Sequence, residues 1–430
     1  MLLYKKIISS LSLFLISNLA FSQTINTGDS AWILTSSALV LFMTLPGLAL
    51  FYGGLVRKKN VLSILIQCFS ITGIASIIWF VFGYSLAFSE GNSWIGDFSK
   101  VMLLDSTKNT LSGTIPETSF AFFQMTFAII TPALIIGAFA ERMKFSVVLL
   151  FSAFWLVLVY VPVTHWVWGG GWLAQMGVYD FAGGIVVHIT AGVAALVAAL
   201  MVGNRHGFPR RTMPPHNMTM VMTGAAMLWV GWFGFNGGSA LNSGGDAAMS
   251  ILVTHLAASV AALTWGIIEW IKYGKPSALG IATGMVAGLG TITPASGFVG
   301  PVAAMVIGLF AGIVCYSATH YIKQVLKIDD SLDVFPVHGV GGILGSLLVG
   351  VFASTSLGIF SGFGFAEGIQ TIAQQLQVQT IAVIAVIIWT TIVTWLILKV
   401  LDMFIGLRVS IDEEDEGLDI ALHEEVGYNL

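Results

Sequence analysis

The chain has 430 residues, of which 56% are hydrophobic and 9% charged, with a mean hydropathy of +0.89. That composition excludes a soluble globular domain, a disordered chain and a nucleic-acid binder, and it puts most of the chain in a bilayer. The net charge of −4 says little, because the acidic run Asp412 to Glu416 supplies much of it. Glycine is plentiful, at 48 residues and without a repeat, which suits helices whose backbones pack closely. Cys68 and Cys315 both lie in apolar runs and read as small core residues, with neither a disulfide framework nor a metal cluster expected.

In chain order, Lys5 and Lys6 precede an apolar stretch from Ile7 to Leu19 and the small-residue site before Gln23, the layout of a cleavable signal peptide over residues 1–22. An uncleaved anchor is the alternative, but the stretch is short for a span. A membrane domain over residues 23–402 follows, then a tail over 403–430. Eleven apolar segments are predicted, centred near residues 42, 73, 129, 155, 192, 227, 260, 286, 309, 344 and 390. Of the eighteen basic residues, fourteen fall on one side of these segments: Arg57 to Lys59, Arg142, Lys144, Arg205, Arg210, Arg211, Lys272, Lys275, Lys323, Lys327, Lys399 and Arg408. Only Lys100 and Lys108 fall on the other, so the mature N-terminus is expected outside and the tail in the cytoplasm. The expected fold is an all-α integral membrane protein with eleven transmembrane helices. Its first ten form an inverted five-plus-five repeat, joined by the basic, proline-containing loop 207–215, which places a substrate site at the midplane between halves.

Ionisable groups inside membrane-length apolar segments are costly, and the few here are candidates for the path of a polar substrate. Asp180 and His188, eight residues apart, open the fifth segment, and Asp333 and His338 open the tenth. Asp180 reads equally well as the N-cap of segment five, and Asp333 reads as the cap of segment ten from the cytoplasmic side. Aromatic residues cluster at the ends taken as outer: Phe123, Gln124 and Phe127 in segment three, Trp168 after segment four, Trp232, Phe235 and Ser239 in segment six. Such residues form either an interfacial belt or a bowl for a small cation, and the flanking glycines and Ser239 favour the bowl.

Together with Glu141-Arg142, Ile292-Thr293-Pro294 and Asp415-Glu-Gly-Leu-Asp419, these motifs resemble the Amt branch of the Amt/Mep/Rh ammonium transporters, from about Leu45 to the C-terminus. The resemblance implies an outer ammonium site at Trp168, Phe127 and Ser239, and a phenylalanine gate at Phe127 and Phe235. It implies a conduction path lined by the twin histidines His188 and His338, with Asp180 and Trp232, and supporting roles for Phe123, Gln124 and Thr293. It further implies a homotrimer in a bacterial inner membrane, no cofactor, no enzymatic activity, and a tail that docks across neighbouring subunits and communicates with a PII-type protein. Ile185 departs from the small polar residue often found in related sequences.

Selectivity for ammonium over potassium, an ion of similar size, requires hydrogen-bond acceptors and a step potassium lacks, such as deprotonation. Two readings of other classes compete. Paired membrane histidines can ligate haem in an electron carrier. A sensor would bind ammonium chiefly to signal, although only about thirty residues follow Lys399 to carry a signalling domain.

Overall fold

The computed structural model describes residues 24–429, and the expected signal peptide lies outside the described residues. Among the described residues, eleven helices are long and apolar enough to cross a membrane: α1 (Thr27–Leu55), α2 (Lys58–Phe88), α3 (Glu117–Phe139), α4 (Phe145–Gln175), α5 (Gly184–Val202), α6 (Met218–Gly238), α7 (Gly245–Tyr273), α8 (Ala278–Ala295), α9 (Pro301–Val325), α10 (Phe335–Phe352) and α11 (Ile372–Phe404). Side-chain caps set several starts. Asn26 accepts the Gly28 and Asp29 N–H groups before α1, Ser277 accepts that of Gly280 at α8, and Thr371 with Gln374 closes a reciprocal capping box at α11. Gly274, at φ +77°, ends α7. A two-strand hairpin, β1 (Leu111–Ser112) and β2 (Ile115–Pro116), lies between α2 and α3.

Burial separates the centre from the rim. The apolar windows of α3 and α5 are 89% and 83% buried, whereas those of α2 and α11 are 39% buried. Side chains such as Phe69, Ile77, Ile388 and Trp395 on α2 and α11 are exposed, as a lipid-facing surface requires.

The inward helices α5 and α10 cross in backbone contact. A Cβ on Gly192 would lie 2.2 Å from the Gly339 nitrogen, and one on Gly342 would lie 2.8 Å from the Gly184 oxygen. Both glycines stand four residues after a histidine, His188 and His338 respectively. The equivalence extends upstream. Asp330, rather than Asp333, stands eight residues before His338, as Asp180 does before His188. An odd number of spans per half makes the two units antiparallel, which is the inverted repeat expected from sequence.

A buried charge cluster ties together the ends of the spans on the basic face. Arg205 pairs with Asp329 at 2.8 Å and with Glu141 at 2.9 Å, and Arg57 with Glu141 at 3.0 Å. Arg142 donates to the carbonyls of Ala138, Ala140, Gly203 and Asp329 and to Ser331, so it satisfies carbonyls that end α3. Burial pushes the Glu141 carboxyl up, but the Arg205 and Arg57 guanidiniums outweigh it and hold the group below its ordinary value. The acidic tail is anchored on the rest of the chain. Glu414 and Asp419 are buried, Glu414 on Arg408 and the His206 N–H, Asp419 on the N–H groups of Leu62 and Ser63. These contacts reach the loop between α5 and α6, the first turn of α2 and Arg408 beside the tail.

Candidate functional site

The head of α5 is built by one carboxylate. Asp180 Oδ1 accepts the N–H groups of Gly183 and Gly184 at 2.9 and 2.6 Å, and Oδ2 those of Ile185 and Val186 at 2.8 and 3.0 Å. These are the donors that an N-terminal turn leaves without partners, so Asp180 is a complete cap. Gly183 takes φ +115°, which brings the chain round to the carboxylate. The helix then opens with a wide, π-helical turn over Gly184–Ile189 that carries His188, and α10 opens with the same kind of turn over Phe335–Gly339 around His338.

The cap of α10 is Asp330 and not Asp333. Asp330 Oδ2 accepts the Phe335 N–H at 2.7 Å. Asp333 instead adopts φ +60° and pairs with Lys323 at 2.8 Å. Its carboxylate therefore faces the rim of a cavity rather than the helix head.

On the face opposite the charge cluster, an open cavity of about 620 Å³ is lined by Trp168, Phe127, Gln124, Ser239, Phe120 and Leu241, among others. The Trp168 indole is anchored, its Nε1 donating to the Asp180 carbonyl at 2.7 Å, and its ring stands edge-on to Phe127 at 88° with centroids 5.9 Å apart. Ser239 donates its hydroxyl to the Phe235 carbonyl at 2.8 Å, which leaves its oxygen lone pairs available as acceptors. Gln124 Oε1 is buried without a partner. The floor is the stacked pair Phe127 and Phe235, 4.2 Å between centroids, with Phe123 packed edge-on against Phe127.

Below that stack lies an almost wholly apolar slot, lined by Met43, Phe51, Leu134, Leu228, Val286 and others around the two imidazoles. His188 stacks on Trp232 with ring centroids 5.4 Å apart, and on His338 at 5.2 Å. The two Nδ1 atoms are 3.2 Å apart, so one donates and the other accepts a single hydrogen. His188 Nε2 is buried and has no protein partner. Trp232 is fixed from behind, its Nε1 donating to Thr293 Oγ1 at 2.9 Å. The slot continues past His338 to an inner mouth of about 590 Å³ with Lys323, Ser331 and Asp333 on its wall. The Nδ1 contact leaves no room for an iron between the imidazoles, so the haem reading fails on geometry.

The structure thus brings Trp168, Phe127, Ser239, Gln124, Phe235, Trp232, His188 and His338 into one line, from the outer cavity through the phenylalanine stack to the slot. Asp180 stands behind the path and holds its backbone. Thr293 and Phe123 support it, Phe123 filling the space against Gly238. Sequence reasoning missed Phe120, Leu241, Leu228 and Val286, whose apolar side chains look like any others. It also missed Asp330, although its spacing of eight residues from His338 was the available signal.

Eleven spans around a narrow path that joins an aromatic cavity to a charged one define a membrane transport protein. The chain belongs to the Ammonium Transporter Family, whose model matches residues 31–428. It is 48% identical to a putative ammonium transporter of Methanothermobacter thermautotrophicus, covering 94% of this chain and 99% of that one. It is 45% identical to an ammonium transporter of Bacillus subtilis, covering 93% and 98%. Among solved structures it resembles a protein described as a sensor Amt protein, with TM-score 0.85, 33% identity and coverage of 92% and 98%. It also resembles Saccharomyces cerevisiae Mep2, with TM-score 0.81, 36% identity and coverage of 91% and 89%.

Proposed function

We propose that this protein transports ammonium across a bacterial inner membrane. The cation enters the Trp168 cavity, held by the faces of Trp168 and Phe127 and by the Ser239 oxygen. Each good aromatic contact with a partly desolvated cation contributes about 1–2 kcal/mol. It does not pass the Phe127–Phe235 stack as an ion, because the slot beneath offers no charge and little polar surface to replace lost water. Ammonium gives up one proton, and ammonia enters the slot with a lone pair and three N–H bonds. The observation that carries this reading is the His188 Nε2 atom, buried without a partner in that slot while Nδ1 is committed to His338. An ammonia molecule supplies the missing hydrogen bond, as donor or acceptor according to the tautomer of the pair.

The proton either returns to water in the outer cavity or follows through the imidazole pair. Solid-supported-membrane electrophysiology on reconstituted protein separates the two. A current on an ammonium jump, with none for potassium, establishes charge-moving transport. Silence for both with a change in vesicle pH establishes neutral ammonia conduction, and no response in either assay overturns the proposal. His188→Ala is expected to reduce flux about tenfold or more while leaving outer affinity within a few-fold, since the lost hydrogen bond lies below the binding cavity.

The positive-inside bias supports an orientation with the Trp168 cavity outside and the tail in the cytoplasm. Assembly as a homotrimer, and contact of the basic face with a PII-type protein, belong to the same proposal and rest on the family resemblance.

A further inference from the structure

Beside the inner mouth, but outside the transport path, a second groove of about 620 Å³ runs between the basic ends of α7, α8 and α9. Its wall against the inner mouth is the Lys323–Asp333 pair, which lines both. Three aromatic rings line it. Trp265 stands edge-on to Tyr316 at 5.3 Å, and the Tyr316 and Tyr273 hydroxyls are 3.2 Å apart. Lys272 Nζ sits 4.7 Å over the Tyr316 ring, which shows that this ring face accepts an ammonium group. Two polar groups are under-used. Thr319 Oγ1 is buried and without a partner, and Glu269 uses Oε2 to accept the Ser277 N–H at 2.7 Å while Oε1 lies against Gly280. Outward from the groove, exposed apolar side chains continue along both helices, Leu263, Ile267 and Ile271 on α7, Leu309 and Ile313 on α9.

A polar slot with a carboxylate, a free hydroxyl and a lysine side by side, at the head of two apolar tracks, matches a zwitterionic lipid. We propose that this groove binds a phospholipid with a primary ammonium headgroup, of the phosphatidylethanolamine class. The headgroup ammonium donates to Glu269 and Thr319 beside the Tyr273 ring, the Tyr316 face being held by Lys272. Its phosphate meets Lys272 and the His320 and Gln324 side chains at the rim, and the acyl chains follow the α7 and α9 tracks. A quaternary headgroup has no N–H to give to Glu269 or Thr319, so the groove discriminates against choline lipids. A purely anionic headgroup meets the Glu269 and Asp333 carboxylates.

The test is native mass spectrometry of the delipidated full chain titrated with ethanolamine, choline and glycerol phospholipids of identical acyl chains. Retention of the ethanolamine lipid about tenfold above the choline lipid is expected, the worth of one hydrogen bond to a charged group. Glu269→Gln keeps the Ser277 contact but removes the charge, and it is expected to bring the two lipids level. Gly280→Ala keeps the charge but places a Cβ 2.2 Å from Glu269 Oε1, displacing the carboxylate while favouring the helix, and it is expected to do the same. Equal retention of ethanolamine and choline lipids by the unaltered chain overturns the proposal. So does unchanged selectivity in both variants, a glycerol-lipid preference, or displacement of the lipid by equimolar phosphoethanolamine, which would identify a soluble amine instead.

Discussion

The heads of α5 and α10 carry the same device built to different completeness. Each has an aspartate eight residues before its histidine, a wide turn around that histidine and a glycine four residues beyond it. Asp180 satisfies four N–H groups with both oxygens. Asp330 accepts the Phe335 N–H, and its Oδ1 has no partner. One cause is visible in the chain. The position equivalent to Val186, whose N–H reaches Asp180, is Pro336, which has no N–H to give. Burial pushes both carboxyls up, to about 6, and both are opposed by the backbone N–H groups they accept. The twin histidines therefore stand on unequal supports, the firmer one beneath the aromatic cavity.

The inequality sets the order of expected effects. Asp180→Ala strands four buried donors, and at about 1–3 kcal/mol for each, less what entering water recovers, the loss is expected to be about 4 kcal/mol or more. Asp330→Ala is expected to cost about half as much. Thermal unfolding in detergent with reconstituted flux measures both, and equal losses would refute the asymmetry. Gly192→Ala comes next. Its Cβ meets backbone at 2.2 Å, which no side-chain rotation relieves, so about 3 kcal/mol of overpacking is expected. Gly342→Ala, with contacts at 2.8 Å to the Gly184 oxygen and 3.0 Å to His188 Cβ, is expected to cost less.

A more direct test makes α5 resemble α10. Val186→Pro removes one of the four donors to Asp180 at the position where α10 already accommodates a proline. Because that N–H serves the carboxylate and not a helical carbonyl, the change is expected to cost about 2 kcal/mol, one hydrogen bond to a charged acceptor. Complete failure to fold would show that the two turns differ in more than their donors.

How far the sequence reveals all this depends on contrast. Polar residues in apolar segments stand out, so His188, His338 and Asp180 were legible, as were the eleven spans and the aromatic cluster around Trp168. Asp333 misled because it lies closer to His338 and directly opens the apolar segment, which Asp330 precedes by several residues. Composition gave no sign that Glu414 and Asp419 are buried, because their partners, Arg408 aside, come from the His206 loop and the head of α2, hundreds of residues away. The slot lining was illegible for the opposite reason. Leu228 and Val286 differ from neighbouring apolar residues only in the direction they face.

The smallest expected effect concerns the link between the α5 head and the outer cavity. Trp168 Nε1 donates to the Asp180 carbonyl, so the capped helix holds the ring that we propose receives the cation. Trp168→Phe keeps an aromatic face but loses that anchor, and apparent ammonium affinity is expected to fall about fivefold, near 1 kcal/mol, with maximal flux little changed. The α10 head has no such tie to the outer cavity. Its neighbour Asp333 pairs with Lys323 at the inner mouth, so Asp333→Asn is expected to leave outer affinity unaltered. Affinity titrations of both variants by supported-membrane current check the contrast. A fall in affinity for Asp333→Asn comparable to that of Trp168→Phe would mean the two mouths are coupled through the crossing of α5 and α10, because the Gly192–Gly339 contact is the rigid link between them.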